Sequence, residues 1–265
     1  MEFSRYLDCL SADFRRLRAV VQLDLTAAVP TCPGWSVADL TRHVGQVYLH
    51  KTVAMREGAE PDDWPPKEIE AADPLALLDR SYAELLAEFA TRKPEDPSGG
   101  WYHPDRTVGF QIRRMAQETV IHRVDAELAA GQPVAPIPAD LAIDGVDELL
   151  KIFVAYGVAE WGDFFADILD GSPGHTVQVR ADDATWQVRT GPGVVEVADG
   201  EAGGGGAHRV VDADDPAEAT VSGPPAAVLR WVWNRESPGQ PSEVTIDGSP
   251  EALEELRRCI VVATQ

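Results

Sequence analysis

Hydrophobic and polar positions follow a helical period through the first half of the chain. Tyr6, Leu10, Phe14, Leu17 and Val21 recur every three or four residues, which predicts an amphipathic helix over 4–25. Pro30, Pro33 and Gly34 interrupt it, and Ser36 with Asp39 forms a capping box that opens a second helix carrying His43 and His50. A proline- and acid-rich loop over 58–72 leads to Asp73-Pro74, a good N-cap followed by a residue suited to the first helical position. That third helix runs to about Arg92. The connection over 93–106 ends in Trp101, Tyr102 and His103, and a fourth helix over 108–130 stops at Gly131. Four helices of this kind predict a bundle.

The second half changes character. Pro133, Pro136 and Pro138 mark a stiff linker or crossing segment, and a fifth helix is predicted over 139–156. From Thr176 the period drops to two. The segments 176–180, 185–189 and 194–197 alternate as strands separated by Asp/Gly turns and predict an antiparallel meander. Weaker strands are read at 208–211 and 219–222, a helix at 224–233, a strand at 243–246 and a last helix from Ser249-Pro250 to about Val262. The expected organisation is a helical bundle with its connecting helix over 1–156, then a smaller α+β domain with an antiparallel sheet over 157–265.

Composition narrows the possible functions. A chain of 265 residues suits two domains. The net charge of -21 leaves no basic stripe to neutralise a row of phosphates, which argues against nucleic acid. No apolar run approaches the ~20 residues needed to span a bilayer, and the first residues do not read as a signal. A cytoplasmic protein is therefore expected, monomeric or weakly dimeric. Cys9, Cys32 and Cys259 are odd in number and widely spaced, so they read as reduced thiols rather than a disulfide framework.

The candidate chemistry lies on the fourth helix. Glu118 and His122 are four residues apart and share one face. A carboxylate and an imidazole so placed can hold a divalent cation, and His43 on the second helix is the candidate third ligand. Three protein ligands leave coordination positions open, as in catalytic sites. The chance alternative is an ordinary pair of surface polar residues. Asp125, three residues beyond His122, either supports that imidazole or pairs with Arg42 or Arg123. The stretch has no H-E-x-x-H, so a zincin-type protease is not indicated. His50, Trp35 and Trp101 read as packing residues, 203–206 as a flexible loop lacking the lysine of a P-loop, and Cys32 as a thiol with no adjacent base.

Thr31-Cys32-Pro33-Gly34-Trp35-Ser36-Val37-Ala38-Asp39-Leu40 with His43, together with Glu118-x-x-x-His122-Arg123-x-Asp125, resembles the mycothiol-dependent maleylpyruvate isomerase family over nearly the whole chain. The resemblance implies a DinB-like metal-binding four-helix bundle followed by a sterol-carrier-like domain. It implies His43, Glu118 and His122 as metal ligands, zinc as the metal and mycothiol as the thiol cosubstrate. It also implies that Arg235 is a functional arginine able to grip a substrate carboxylate, although this chain reads Trp233-Asn234-Arg235 where the family pattern is Trp-Gly-Arg. The expected activity is addition of a metal-activated thiolate to a small electrophilic substrate. Release of the thiol after bond rotation makes an isomerase, and its retention makes an S-transferase. Two other readings stay open: a metal-containing sensor whose second domain binds an apolar ligand, and a protein with a vestigial metal site that works through interactions.

Overall fold

A computed structural model describes residues 1–200, 216–237 and 239–264. The chain forms two compact units, Met1–Ala135 and Pro136–Gln265. This moves the expected boundary of 156/157 back to the proline-rich segment. The period announces the helix beginning at Ala139 but does not say what that helix packs on. It buries Leu141, Ala142 and Val146 within the second unit.

The first unit contains α1 (Phe3–Val21), α2 (Val37–Glu57), a single-turn α3 (Lys67–Glu70), α4 (Pro74–Thr91) and α5 (Val108–Ala129). The predicted stripe of α1 is the buried one, with Leu10, Leu17 and Val21 fully enclosed. The capping box is complete: Asp39 N donates to Ser36 Oγ, and Ser36 N donates to the Asp39 carboxylate. These bonds fix where α2 starts, and hence where His43 falls on it. Asp73 caps α4 by accepting from Ala76 N, and Thr107 caps α5 by accepting from Phe110 N. Helix α2 packs along α4, and α1 along α5. The α2/α4 approach depends on Gly45, where an added Cβ would lie 3.0 Å from Leu77 Cγ and 3.1 Å from Leu78 N. Gly131 follows α5 with φ 61°, the left-handed stop expected there.

Helix α5 departs from the amphipathic pattern. From Val108 almost without a break to Glu127 it is buried all round, yet it carries Arg114, Gln117, Glu118, His122, Arg123, Asp125 and Glu127. Polar groups enclosed in this way must find partners or they destabilise the fold.

The second unit opens with α6 (Ala139–Glu148), which passes through a π-helical stretch (Leu149–Ala155) into α7 (Tyr156–Glu160). A short 3-10 turn (Gly162–Phe165) and α8 (Ala166–Leu169) precede the sheet. Strands β1 (His175–Ala181), β2 (Ala184–Gly191) and β3 (Val194–Asp199) form the predicted antiparallel meander. Strand β4 (Ala219–Gly223) pairs in parallel with the free side of β1, and β5 (Thr245–Gly248) pairs antiparallel with β4, giving the order β3-β2-β1-β4-β5. Helices α9 (Pro225–Val232) and α10 (Pro250–Thr264) pack on β1 and β4. The strand expected at 208–211 lies outside the described residues. Among the described residues no helix is long and apolar enough to cross a membrane.

Candidate metal centre

The site is built where α5 faces the middle of α2. Glu118 and His122 are one turn apart on α5, and Glu118 Oε1 lies 3.1 Å from His122 Nε2. The same oxygen lies 3.1 Å from His43 Nε2 on α2. One ligand atom from each residue falls within 4.8 Å of the others, which makes these three a candidate cation site among the described residues. Bonds of about 2.0 to 2.1 Å in a tetrahedral shell place neighbouring donors roughly 3.4 Å apart, so the two 3.1 Å separations fit a small divalent ion. The site is not sealed. The Glu118 and His122 side chains are each 10% exposed, whereas that of His43 is 36% exposed, so the open side is the His43 side.

Each inner donor is held from behind. Arg114, one turn before Glu118, donates to Glu118 Oε2, leaving Oε1 for the two imidazoles. Asp125 Oδ2 lies 2.9 Å from His122 Nδ1, so the carboxylate occupies one ring nitrogen and Nε2 turns toward Glu118 and His43. Burial by itself would raise the Glu118 pKa. The positive charge on His122 and Arg114 and hydrogen bonds from both histidines outweigh burial and hold this carboxyl well below the usual range. Burial would lower the pKa of His122, but Glu118 and Asp125 push it up to about 9.

Of the two roles open for Asp125, the structure selects support of the imidazole. The arginines that might have claimed it are engaged elsewhere: Arg42 donates to the Glu70 and Ala72 carbonyls, and Arg123 pairs with Asp13 and Glu127. Asp125 also accepts from Thr31 Oγ1 at 2.5 Å and from Cys32 Sγ at 3.7 Å. Trp35 packs its ring against His43 with centroids 5.0 Å apart. Arg114 escaped the sequence reading. Its spacing to Glu118 was visible, but i,i+4 charge pairs are common on exposed helix faces, and the signal that this one is buried was the missing polar face of α5.

The other candidates separate cleanly. His50 packs edge-on against Trp64, and Trp101 and Tyr102 pack on Phe110. His175 pairs with Glu218 at 2.9 Å, while His208 and 203–206 lie outside the described residues. Cys9, Cys32 and Cys259 form no disulfide. Arg235 belongs to the second unit and is 7% exposed, with its guanidinium donating to the Trp233 carbonyl at 2.6 Å. The asparagine before it has φ 55°, in the left-handed region that favours glycine and next tolerates Asn. Asn234 therefore keeps the turn a glycine would make, and its Oδ1 accepts from Arg257 at 2.7 Å.

Fold and donor set define a class: a two-unit protein whose helical bundle carries a His/Glu/His cluster, open on one side, that could hold a cation. The family model for the mycothiol maleylpyruvate isomerase N-terminal domain matches residues 7–127, and that for the MDMPI C-terminal domain matches residues 140–255. The chain belongs to the mycothiol-dependent maleylpyruvate isomerase family. It is similar to the crystal structure of the mycothiol-dependent maleylpyruvate isomerase at TM-score 0.59 and 17% identity, over 95% of this chain and 96% of that one. A histidine-to-alanine mutant of that isomerase superposes at TM-score 0.63 with 14% identity, over 95% and 96% of the two chains. At such identity the likeness is one of fold. No curated protein matches this chain in sequence.

Proposed function

We propose that the protein is a metal- and thiol-dependent enzyme that holds a divalent cation, zinc by the chemistry of its donors, on His43, Glu118 and His122. It uses mycothiol or a thiol of that kind to isomerise a small electron-poor substrate, or to form a thioether with it when the added thiol is retained. The observation that carries the reading is Glu118 Oε1 placed 3.1 Å from an imidazole nitrogen on either side of it, at the partly open edge of an otherwise buried helix. Family membership supplies the thiol and the reaction class. Two imidazoles, each neutral once a cation displaces its ring proton, and one carboxylate are borderline-soft donors suited to zinc, and three ligands leave room for an exogenous one.

The chemistry supplied by a bound cation and thiol is nucleophilic: the thiol is deprotonated near neutral pH and can add reversibly to an electron-poor double bond. The chain's own part is positional. Glu118 remains ionised and, tied to Arg114 through Oε2, presents one oxygen. His122 presents Nε2 because Nδ1 faces Asp125. His43, the most exposed of the three, borders the side from which thiol and substrate arrive. The family resemblance also implies a carboxylate-binding role for Arg235, whose guanidinium is a fixed, planar donor. Calorimetric titration of zinc-loaded protein with mycothiol tests the proposal. Binding that disappears in Glu118→Ala is expected, and zinc-loaded protein with no thiol affinity would overturn it.

A further inference from the structure

We propose that the loop between α1 and α2 is a positioning device for both imidazoles, acting on His122 through Asp125 and on His43 through Trp35. This inference rests on reading His43, Glu118 and His122 as cation ligands.

Asp125 is fully buried, and its two oxygens are shared between the loop and the imidazole. Oδ1 accepts from Thr31 Oγ1 at 2.5 Å, and Oδ2 faces His122 Nδ1 at 2.9 Å and Cys32 Sγ at 3.7 Å. A carboxylate on its own could rotate and offer His122 either oxygen in several orientations. Thr31 removes that freedom by claiming one oxygen, so the plane of the carboxylate and the plane of the ring are fixed together. The ring then has one direction left for Nε2, toward Glu118 Oε1 at 3.1 Å.

The loop is stiff enough to transmit this. Cys32 N donates to the Val29 carbonyl at 3.1 Å, Trp35 N to the Cys32 carbonyl at 3.0 Å and Val29 N to the Trp35 carbonyl at 2.9 Å. Its exit is pinned when Val37 N donates to the Ala27 carbonyl at 2.8 Å. Four residues after Thr31, the same loop lays Trp35 on His43, with ring centroids 5.0 Å apart and planes tilted by 56°. The Thr31-Cys32-Pro33-Gly34-Trp35 motif thus has a physical reason: a hydroxyl for Asp125 at one end, a flat apolar ring for His43 at the other and a tight turn between them. Thr31, Trp35 and Asp125 act through the ligands and are positioning residues.

The test compares Asp125→Asn, Thr31→Val and Thr31→Ser with wild type in the full chain. Three quantities are read: zinc affinity by chelator competition, the imidazole nitrogen signals of His122 by long-range proton–nitrogen NMR of the zinc-loaded protein, and the thermal midpoint without metal. Asp125→Asn is expected to weaken zinc binding about 10- to 100-fold and to shift the His122 Nδ1 resonance. Thr31→Val, which removes the hydroxyl at nearly constant shape, is expected to weaken it several-fold, roughly tenfold at most. Thr31→Ser is expected to restore wild-type affinity. Should Asp125→Asn fail to fold, the Thr31 pair decides. Folded Asp125→Asn and Thr31→Val proteins with wild-type zinc affinity and an unchanged His122 spectrum would overturn the inference while leaving the metal site standing. A Thr31→Ser variant as weak as Thr31→Val would overturn it too. Wild-type protein that binds no zinc would remove the metal reading and this inference with it.

Discussion

Helix α5 carries two clusters of buried charge in neighbouring turns, and they have opposite designs. In the first, Glu118 and His122 meet His43, whose side chain is 36% exposed. In the second, Arg123 pairs with Asp13 at 2.7 Å and with Glu127 at 2.6 Å, and the Arg123 and Glu127 side chains are 1% and 0% exposed. The second cluster closes on its own charges: Glu127 accepts further from Arg16 and from Ala135 N, although buried Arg123 Nη2 has no hydrogen-bond partner among the described residues. It ties α1, α5 and the chain beyond α5 into one piece. The first cluster instead gathers lone pairs from three residues on one small volume with an open edge. Burial and charge are common to both, so neither identifies a site. Convergence of donor atoms toward an accessible point makes the first cluster the candidate.

The comparison predicts a division of effects. Arg123→Met should cause the largest loss of stability, about 3 to 5 kcal/mol, because it strands Asp13 and Glu127 without their cation. Denaturant unfolding checks this, and zinc affinity of the folded fraction should stay at the wild-type value. Glu118→Gln should reverse the pattern, with zinc affinity falling more than about 100-fold and a stability change of only about 1 to 3 kcal/mol. Equal stability losses in the two variants would erase the distinction. Arg114→Met should lower zinc affinity about tenfold by releasing Glu118 Oε2, and X-ray absorption of the zinc-loaded variant should show a changed carboxylate contribution.

A further effect is one of pH. Burial pushes Asp13 up to about 6 from its ordinary 3.8, against the lowering effect of Arg123, and Glu127 adds repulsion. Because the folded value is the higher one, the folded state takes up a proton first. The stabilisation from that proton is complete below about pH 4 and is lost as pH rises through 6. Wild type should therefore gain stability relative to Asp13→Asn as pH falls from about 6 to 4, and carboxyl NMR should place the Asp13 midpoint near 6. A flat difference across that window would contradict the assignment.

What the sequence disclosed follows from the range of the interactions involved. The bundle was legible because Tyr6 to Val21, Ser36 with Asp39 and Asp73-Pro74 encode period and caps locally. Glu118 and His122 were legible for the same reason, and His43 joined them as the histidine inside the second predicted helix, with the family resemblance in support. Asp125 was ambiguous because a position three residues from His122 is equally close to helix neighbours, and only the loop carrying Thr31 and Cys32 decides its partner. The parallel pairing of β4 with β1 joins residues about forty positions apart, such as Val177 and Ala219, and no local pattern announces it. Pro133, Pro136 and Pro138 mark the unit boundary, yet the helical period beyond them does not say which unit that helix joins.

The most direct test of the central claim, that His43, Glu118 and His122 hold one divalent cation, is elemental mass spectrometry of untagged protein. Wild type should be compared with His43→Ala, Glu118→Ala and His122→Ala after each has been offered zinc and dialysed. The account predicts close to one zinc per chain in wild type and a marked fall in all three variants. Wild type that remains metal-free, or variants that retain a full complement of zinc, would contradict it.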